Sequence, residues 1–183
     1  MNAPASLSPS DAGDLATDQF LTFLLGKEMF GVGILGIKEI IEYRTPTDVP
    51  MMPPALRGVI NLRGAVVPVV DLQQRFGRAP SEISKRTCIV IIEVASGEER
   101  QVLGLLVDAV SEVLEIATAD IAPPPAFGTG IRRDFIHGMG KVGERFVILL
   151  AADAVLAPQE FASMAGLDAH VEEGIAPSAA FAA

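Results

Sequence analysis

Short aliphatic segments recur along most of this chain, and turn residues separate each segment from the next. Runs of about four to eight such residues, spaced about 8–12 residues apart, are typical of the strands of all-β proteins. About nine segments qualify: residues 19–25, 29–33, 58–64, 65–72, 87–94, 101–110, 111–116, 135–142 and 145–150. Because no long helices alternate with these segments, a parallel βαβ sheet is disfavoured, and the sequence predicts small β-barrels or a β-sandwich.

One segment between the strands changes its period: ILGIKEIIEY, residues 34–43. Its isoleucines fall at helical spacing, and Lys38, Glu39 and Glu42 lie off that apolar stripe. Apolar residues three and four positions apart share one face of a helix. The segment therefore predicts one short amphipathic helix that carries Glu39 on its polar side.

The strands on either side of Arg63 and Gly64 are predicted to be joined by a tight connection at that dipeptide. Pro68 lies inside the second of these strands, which predicts a sheet edge or a bulge because proline cannot donate a ladder hydrogen bond. Residues 72–77 predict one helical turn, and Asp71 is a suitable capping residue for it.

The chain has 183 residues, of which 50% are hydrophobic and 5% aromatic, so the sequence predicts an aliphatic core. This length suffices for one ordinary domain or for two very small ones, predicted here as barrel-like halves that meet near residue 80. Residues 1–17 predict a disordered tail, and residues 158–183 an acidic, alanine-rich tail. The folded part is then residues 18–157.

Charge is distributed unevenly along the chain, whose formal net charge is −9. Residues 158–183 contain Glu160, Asp168, Glu172 and Glu173 but no Lys or Arg. The charged side chains of residues 1–18 are likewise all acidic. The basic residues all lie between these ends and form no basic stripe. Nucleic-acid binding is therefore not expected.

The compartment is predicted from what the sequence contains near its start and from its cysteine usage. With one cysteine, Cys88, the chain can form no internal disulfide, which suits a reducing compartment. The first residues carry neither a basic region nor an apolar run, so they do not resemble a signal peptide. No uncharged apolar stretch is long enough to span a membrane, so the sequence predicts a cytoplasmic location without membrane insertion.

The sequence contains one G-x-G-x-x-G pattern, from Gly31 to Gly36. A dinucleotide fingerprint also requires a second parallel strand after the helix, ending in an acidic residue. Here the helical segment runs into TPTDVPMMPP, residues 45–54, whose prolines are unsuited to a buried strand. The glycines are therefore interpreted as part of a hairpin strand, and no cofactor is predicted.

Catalytic and metal-binding patterns are weak. The two histidines, His137 and His170, are far apart, and a single cysteine does not supply a zinc cluster. Cys88 begins an apolar strand, where cysteine usually behaves as a small hydrophobic residue. No nucleophile elbow and no pair of carboxylates suited to acid–base catalysis is evident, so no enzyme, catalytic residue or metal site is predicted.

The segment RGVINLRGAVVPVVDL, residues 57–72, followed by Phe76 and Gly77, resembles the central motif of the bacterial CheW-like domain family. The segments LGLLVDAVSEVLEI and GMGKVGERFVILL are also similar to later parts of that family. The resemblance covers residues 18–157 without a large gap.

This resemblance implies a mainly β fold: two small five-stranded, SH3-like barrels packed on a shared hydrophobic core, with one or two short helices. It implies an adaptor that couples chemoreceptors, the methyl-accepting chemotaxis proteins, to the histidine kinase CheA, whose regulatory domain it binds. No catalytic step is implied. The receptor side is expected to be a groove to which the first helix and the Asn-Leu-Arg-Gly turn contribute.

Seven positions are expected to bind partners on the strength of this resemblance, and an acid–base pair is expected between Glu39 on the helix and Arg63 on the turn. Arg57 and Gly58 match positions associated with partner contacts, without assignment to one partner. The seven are Ile37, Glu39, Arg57, Gly58, Asn61, Arg63 and Gly64.

A second hypothesis is a small-molecule-binding β-barrel protein with its ligand in the groove between the barrels. An enzyme is a third, and it requires a convergent polar cluster that the sequence does not reveal.

Overall fold

The computed structural model describes residues 16–126 and 130–157. Within these ranges the chain is almost entirely β-structure, with two single-turn helices and short 3₁₀ turns. The strands are β1 (Thr17–Leu25), β2 (Glu28–Gly33), β3 (Ile37–Glu42), β4 (Leu56–Leu62), β5 (Ala65–Asp71), β6 (Cys88–Ser96), β7 (Glu99–Val107), β8 (Ala109–Ala117), β9 (Ile121–Ala122), β10 (Ile136–Val142) and β11 (Arg145–Leu150). The helices are α1 (Leu72–Arg75) and α2 (Ala152–Val155).

The strands form two sheets that interleave along the chain. One sheet has the order β8-β1-β2-β11-β10-β9, and the other has the order β3-β6-β7-β5-β4. Neighbours pair antiparallel except for β2 with β11 and β5 with β7. The boundary near residue 80 stays a prediction, in which strands can be exchanged between the halves; β5 before it and β6 after it belong to the same sheet.

The core lies between the two sheets and is shared by them. Phe23 and Phe30 from the six-stranded sheet and Leu105 from the five-stranded sheet belong to one buried cluster. The core is largely aliphatic, as expected, although buried phenylalanines also run through this cluster. The ring centroids of Phe30 and Phe76 are 5.7 Å apart, and those of Phe76 and Phe135 are 6.2 Å apart. Aromatic contacts of this kind add to the energy of area burial.

The helix predicted for residues 34–43 is wrong. A 3₁₀ turn covers Ile34–Gly36, and β3 follows as a strand that pairs antiparallel with β6. Isoleucine is β-branched and fits a pleated surface better than a helix. The register slips by one residue at Lys38, which is a β-bulge, so helical spacing of the isoleucines arises within a strand.

The G-x-G-x-x-G pattern lies in a different context from a nucleotide-binding loop. Gly31 and Gly33 are in β2, and only the 3₁₀ turn Ile34–Gly36 separates them from β3. A Cβ at Gly31 would lie 3.0 Å from the side chain of Leu149, so this glycine permits close packing of β2 on β11. The hairpin interpretation of these glycines is confirmed by the β1–β2 pairing.

The two edge strands of the five-stranded sheet, β3 and β4, approach each other. The backbone of Thr47 exchanges hydrogen bonds of 2.8 and 2.9 Å with that of Val59 on β4. Arg44 adds a hydrogen bond of 3.1 Å from Nη1 to the carbonyl of Asn61. These bonds satisfy backbone groups that would otherwise form open sheet edges, so the sheet is closed toward a barrel.

Pro68 does not lie on an edge strand, because β4 and β7 flank β5. Its strand pairs with β7 only from Val69 onward, so no ladder bond requires the N–H that proline lacks. The predicted turn after Asp71 is confirmed as α1, with the Asp71 side chain accepting a hydrogen bond from the Gln73 backbone N–H.

The predicted tails largely lie outside the described residues. Residues 1–15 and 158–183 belong to neither described range. The predicted N-terminal tail overlaps the structure at Thr17, where β1 begins.

Candidate partner-binding site

A tight turn joins β4 to β5 at the centre of the RGVINLRGAVVPVVDL segment. Leu62 and Ala65 face each other across the hairpin, and the two residues between them both have positive φ: 52° at Arg63 and 87° at Gly64. Two positive φ values in a two-residue loop are the signature of the type I′ turn, which matches the twist of paired strands. The side-chain carbonyl of Asn61 accepts a hydrogen bond of 2.8 Å from the backbone N–H of Gly64 and fixes this loop.

The turn projects Arg63 onto Glu39 of β3. The guanidinium donates two hydrogen bonds, from Nη1 to Oε1 at 3.0 Å and from Nη2 to Oε2 at 2.8 Å. The expected acid–base pair is therefore present, although it joins a strand to the turn rather than a helix to the turn. The Arg63 side chain is 76% exposed and that of Glu39 is 26% exposed.

The electrostatics of the pair follow from this bidentate contact. The hydrogen bonds from Arg63, with its charge and that of Arg44, hold the pKa of the Glu39 carboxyl below its ordinary range. The same contact raises the pKa of the Arg63 guanidinium. Both groups are therefore charged at neutral pH. An exposed pair of this type contributes little to stability, so its chief effect is to hold Arg63 in one orientation.

The pair borders a groove of about 480 Å³, called the corner groove here. Residues of β5 and β7 line it, and the exposed side chain of Val66 forms part of one wall. Cationic residues from three strands or turns line it together with apolar ones. The defining residues are Lys38, Arg63, Val66, Pro68, Arg100 and Val102.

A larger groove of about 710 Å³, called the inter-sheet groove here, separates the two sheets on a neighbouring face. Leu35 is fully exposed on the 3₁₀ turn that borders it, and His137 also lines it. Acidic residues outnumber basic ones along its walls. The charged residues are Asp18, Glu93, Glu115, Asp153 and Arg100, so four carboxylates accompany one guanidinium.

The predicted site residues divide into two groups. Glu39, Asn61, Arg63 and Gly64 meet at the corner of β3 and the turn. Ile37 lies on the same strand as Glu39, but it is half-buried and packs against the shared core.

Arg57 lies in a separate, buried network at the other end of β4. Its Nε is 3.2 Å from Oδ2 of Asp71, and its Nη2 donates a hydrogen bond of 2.8 Å to the carbonyl of Ser81. Asp71 is fully buried and also accepts hydrogen bonds from the Ser81 backbone N–H at 2.9 Å and hydroxyl at 2.7 Å. Such contacts tie residues 78–84 to the sheet, so Arg57 serves the fold.

Gly58 has a φ of 137°, and its neighbour across the closed sheet is Thr47. A Cβ at this position would clash with the carbonyl oxygen of Thr47. Glycine is thus required by a backbone approach rather than by a partner, and the contact of Arg57 and Gly58 with a partner stays a prediction.

Sequence reasoning missed the Asp71 network and the cations Lys38 and Arg100 of the corner groove. Asp71 was expected only to cap α1, and the pairing of its second oxygen with Arg57 depends on the fold of the loop before Ser81. The repeated Arg-Gly dipeptide, at residues 57–58 and 63–64, was the available signal that β4 carries two special positions.

No group of side chains suited to holding a metal ion is found in the described ranges. No three His, Cys, Asp or Glu side chains are grouped there as metal ligands would be. His137 lines the inter-sheet groove, and His170 is outside the described residues. None of the described helices has the length and apolar character needed to cross a membrane.

Comparison with known proteins assigns this chain to a family. Residues 19–160 match the CheW-like domain. The chain is 33% identical over 151 residues to the chemotaxis protein CheW of Klebsiella aerogenes, covering 82% of this chain and 89% of the relative. It is 36% identical over 142 residues to the chemotaxis protein CheW of Rhizobium meliloti, covering 78% and 89%.

A solved structure shares the fold. The scaffolding protein TtCheW from Thermoanaerobacter tengcongensis has a TM-score of 0.67 and 35% identity, covering 74% of this chain and 89% of that chain. The predicted fold class, two SH3-like barrels with few helices, is confirmed by this likeness and by the two sheets described above. The chain belongs to the CheW-like domain family and is a chemotaxis scaffold protein of the CheW type.

Proposed function

We propose that this protein is an adaptor that couples chemoreceptors, the methyl-accepting chemotaxis proteins, to the histidine kinase CheA. The observation that carries the proposal is the exposed Glu39–Arg63 pair beside the corner groove, in a chain of the CheW-like family. The partners are the cytoplasmic tips of the receptors and the regulatory domain of the kinase. The protein then works on the cytoplasmic side of receptor arrays, without nucleic acid and without inserting into a membrane.

The chemistry of the corner suits recognition of another protein. Arg63 is held by two hydrogen bonds and a fixed turn, so its guanidinium is oriented before a partner arrives. Arginine in a fixed fork can bind a partner carboxylate with geometric specificity. Beside it, Val66 is 72% exposed and offers an apolar contact. A charged group beside an apolar contact affects the orientation and the association rate of a partner protein more than its affinity.

The adaptor acts without a catalytic step of its own. In this role the protein changes kinase output by holding receptor and kinase in a defined relation. The relatives are named as chemotaxis and scaffolding proteins, which supports a binding role.

The test is Arg63→Glu, with Arg145→Glu as the matched control. Arg145 is an exposed arginine at the start of β11, so it provides the same charge change on the other sheet. Binding to the kinase regulatory domain and to receptor tips is measured by titration, and folding by circular dichroism. We expect Arg63→Glu to weaken binding to at least one partner about tenfold or more, with an unchanged β signal, while Arg145→Glu binds normally. Unchanged affinity of Arg63→Glu for both partners would overturn the proposal.

The small-molecule alternative has one observation in its favour: the inter-sheet groove, at about 710 Å³, has the size of a ligand site. A thermal-shift screen with nucleotides and metabolites tests it. A stabilising ligand together with no binding to the kinase would favour this alternative over the adaptor.

A further inference from the structure

The corner groove contains two short lengths of strand edge that face each other. β5 and β7 pair in parallel only from Val69 and Gly104 to Asp71 and Leu106. Before that point the two strands do not pair, because Pro68 has no N–H to donate to β7, and both strands line the corner groove. Their backbone groups along this stretch therefore lie outside the β5–β7 ladder.

The direction of the backbone groups on β5 can be worked out from its partner strand. Val59 uses both its N–H and its C=O to bond Thr47, so the Val59–Pro68 pair exchanges no hydrogen bonds. Hydrogen-bonded and non-hydrogen-bonded pairs alternate along an antiparallel ladder. Asn61–Val66 is then also non-bonded, which agrees with the bond from Arg44 to the Asn61 carbonyl. Val66 directs its N–H and C=O away from β4, into the groove.

The same reasoning applies to β7. The Ala95 N–H on β6 points away from β7, because it bonds Oδ1 of Asp153 at 3.3 Å. Ala95 pairs with Arg100, so this pair is non-bonded, and so is the pair of Glu93 with Val102 two residues on. The backbone groups of Arg100 and Val102 therefore also face the groove. Open N–H and C=O groups on opposite walls are what an extended segment requires to bind by strand addition.

The corner groove and the inter-sheet groove differ in net charge. Three cations border the corner groove, and they share two carboxylates: Arg63 pairs with Glu39, while Lys38 and Arg100 lie 3.8 and 3.4 Å from Glu93. A net positive charge remains there, on a chain whose total is −9. The inter-sheet groove has four carboxylates and one guanidinium. An acidic segment is accordingly attracted to the corner groove and repelled from the other.

The chain itself contains an acidic segment. Residues 158–183 contain Glu160, Asp168, Glu172 and Glu173 and no Lys or Arg. The segment continues from α2, whose Asp153 contacts Ala95, the residue that pairs with Arg100 at the groove. Its 26 residues, counted from 158 to 183, can span roughly 85 Å when extended, so distance does not restrict it.

We propose that the corner groove is a binding site for an extended acidic segment, and that residues 158–183 of the same chain occupy it. Backbone hydrogen bonds to Val66 and Val102 hold the segment, and its carboxylates pair with Lys38 and Arg100. Because Arg63 borders the groove, the bound segment competes with partners at the corner. This competition rests on the proposed function, whereas the binding of the segment does not.

The test is hydrogen exchange on the full chain, read at the amides of Val66 and Val102. The variant Asp168→Asn/Glu172→Gln/Glu173→Gln neutralises the segment. Its matched control is Asp120→Asn/Glu112→Gln/Glu144→Gln, which removes the same number of charges from exposed sites outside the corner groove. We expect exchange at both amides to be about threefold or more faster in the segment variant and in wild type at high salt, but unchanged in the control.

Equal exchange in wild type and segment variant would overturn the proposal, as would an equal acceleration in the control. Protection that disappears on dilution would assign the groove to a second copy of the chain and would also overturn it. A titration with receptor tips then tests the competition separately. Tighter binding by the segment variant supports competition, while faster exchange without tighter binding retains the site and overturns the competition.

Discussion

An Arg-Gly pair lies near each end of strand β4, the first inside the strand and the second in the turn after it, and the two pairs have opposite roles. Arg57 bonds Asp71, which is fully buried, and its own side chain is 31% exposed. Arg63 bonds Glu39 at the surface and is 76% exposed. Gly58 is confined by the Thr47 carbonyl, whereas a Cβ at Gly64 would have nothing within 4 Å.

The environment of the carboxylate decides what each arginine does. A buried carboxylate that loses its cation leaves an uncompensated charge, which is strongly destabilising. An exposed carboxylate that loses its cation is solvated, with little change in stability. The first pair therefore holds the fold, and the second is free to be used for recognition.

The largest expected effect follows from removing the buried carboxylate. Asp71→Ala leaves Arg57 and the Ser81 hydroxyl without their acceptor and frees residues 78–84 from the sheet. We expect the free energy of unfolding to fall by about 3–5 kcal/mol, measured by urea denaturation. A change within about 0.5 kcal/mol would show that the network does not support the fold.

The next largest loss of stability is expected from replacing the glycine of an Arg-Gly pair by alanine. Gly58→Ala places a Cβ against the Thr47 carbonyl at a φ of 137°, so we expect a loss of about 3 kcal/mol. Gly64→Ala meets only the left-handed backbone penalty, about 1 kcal/mol. Both are read from urea midpoints, and equal losses would contradict the contrast between the two sites.

Exchanging the charges of Glu39 and Arg63 tests whether the pair only joins β3 to the turn or is also recognised by a partner. Glu39→Arg with Arg63→Glu retains an ion pair but reverses what a partner meets. We expect stability to be unchanged and partner affinity to fall about tenfold. Full recovery of binding in the double variant, relative to Arg63→Glu alone, would mean that the pair only joins β3 to the turn.

The smallest effect concerns protonation. Arg63 lowers the pKa of Glu39 in the folded state. The contribution of the pair to the free energy of unfolding is therefore fully present above the pKa of Glu39 in the unfolded chain. It is lost as the pH falls through the pKa of Glu39 in the folded protein. In an NMR titration, the Glu39 carboxyl should therefore change below the usual glutamate range. Arg63→Ala should move this titration upward, and an unmoved midpoint would contradict the account of the pair.

Local patterns predicted much of the fold and part of the site. The β1–β2 hairpin, the turn at Arg63 and Gly64 and the cap on α1 depend on neighbouring residues, and the structure confirms them. The helix at 34–43 failed because pairing with β6 and a bulge at Lys38 override isoleucine spacing. The Asp71 network depends on residues distant in sequence, so no local pattern could reveal it.

The most direct test of the central claim compares Arg57→Ala with Arg63→Ala in one series, measuring the urea midpoint and the affinity for the kinase regulatory domain and receptor tips. The account predicts that Arg57→Ala lowers the urea midpoint, and that any protein still folded binds normally. It predicts that Arg63→Ala retains the wild-type midpoint and loses partner affinity. The reverse pattern, or a loss of stability in Arg63→Ala as large as in Arg57→Ala, would contradict it.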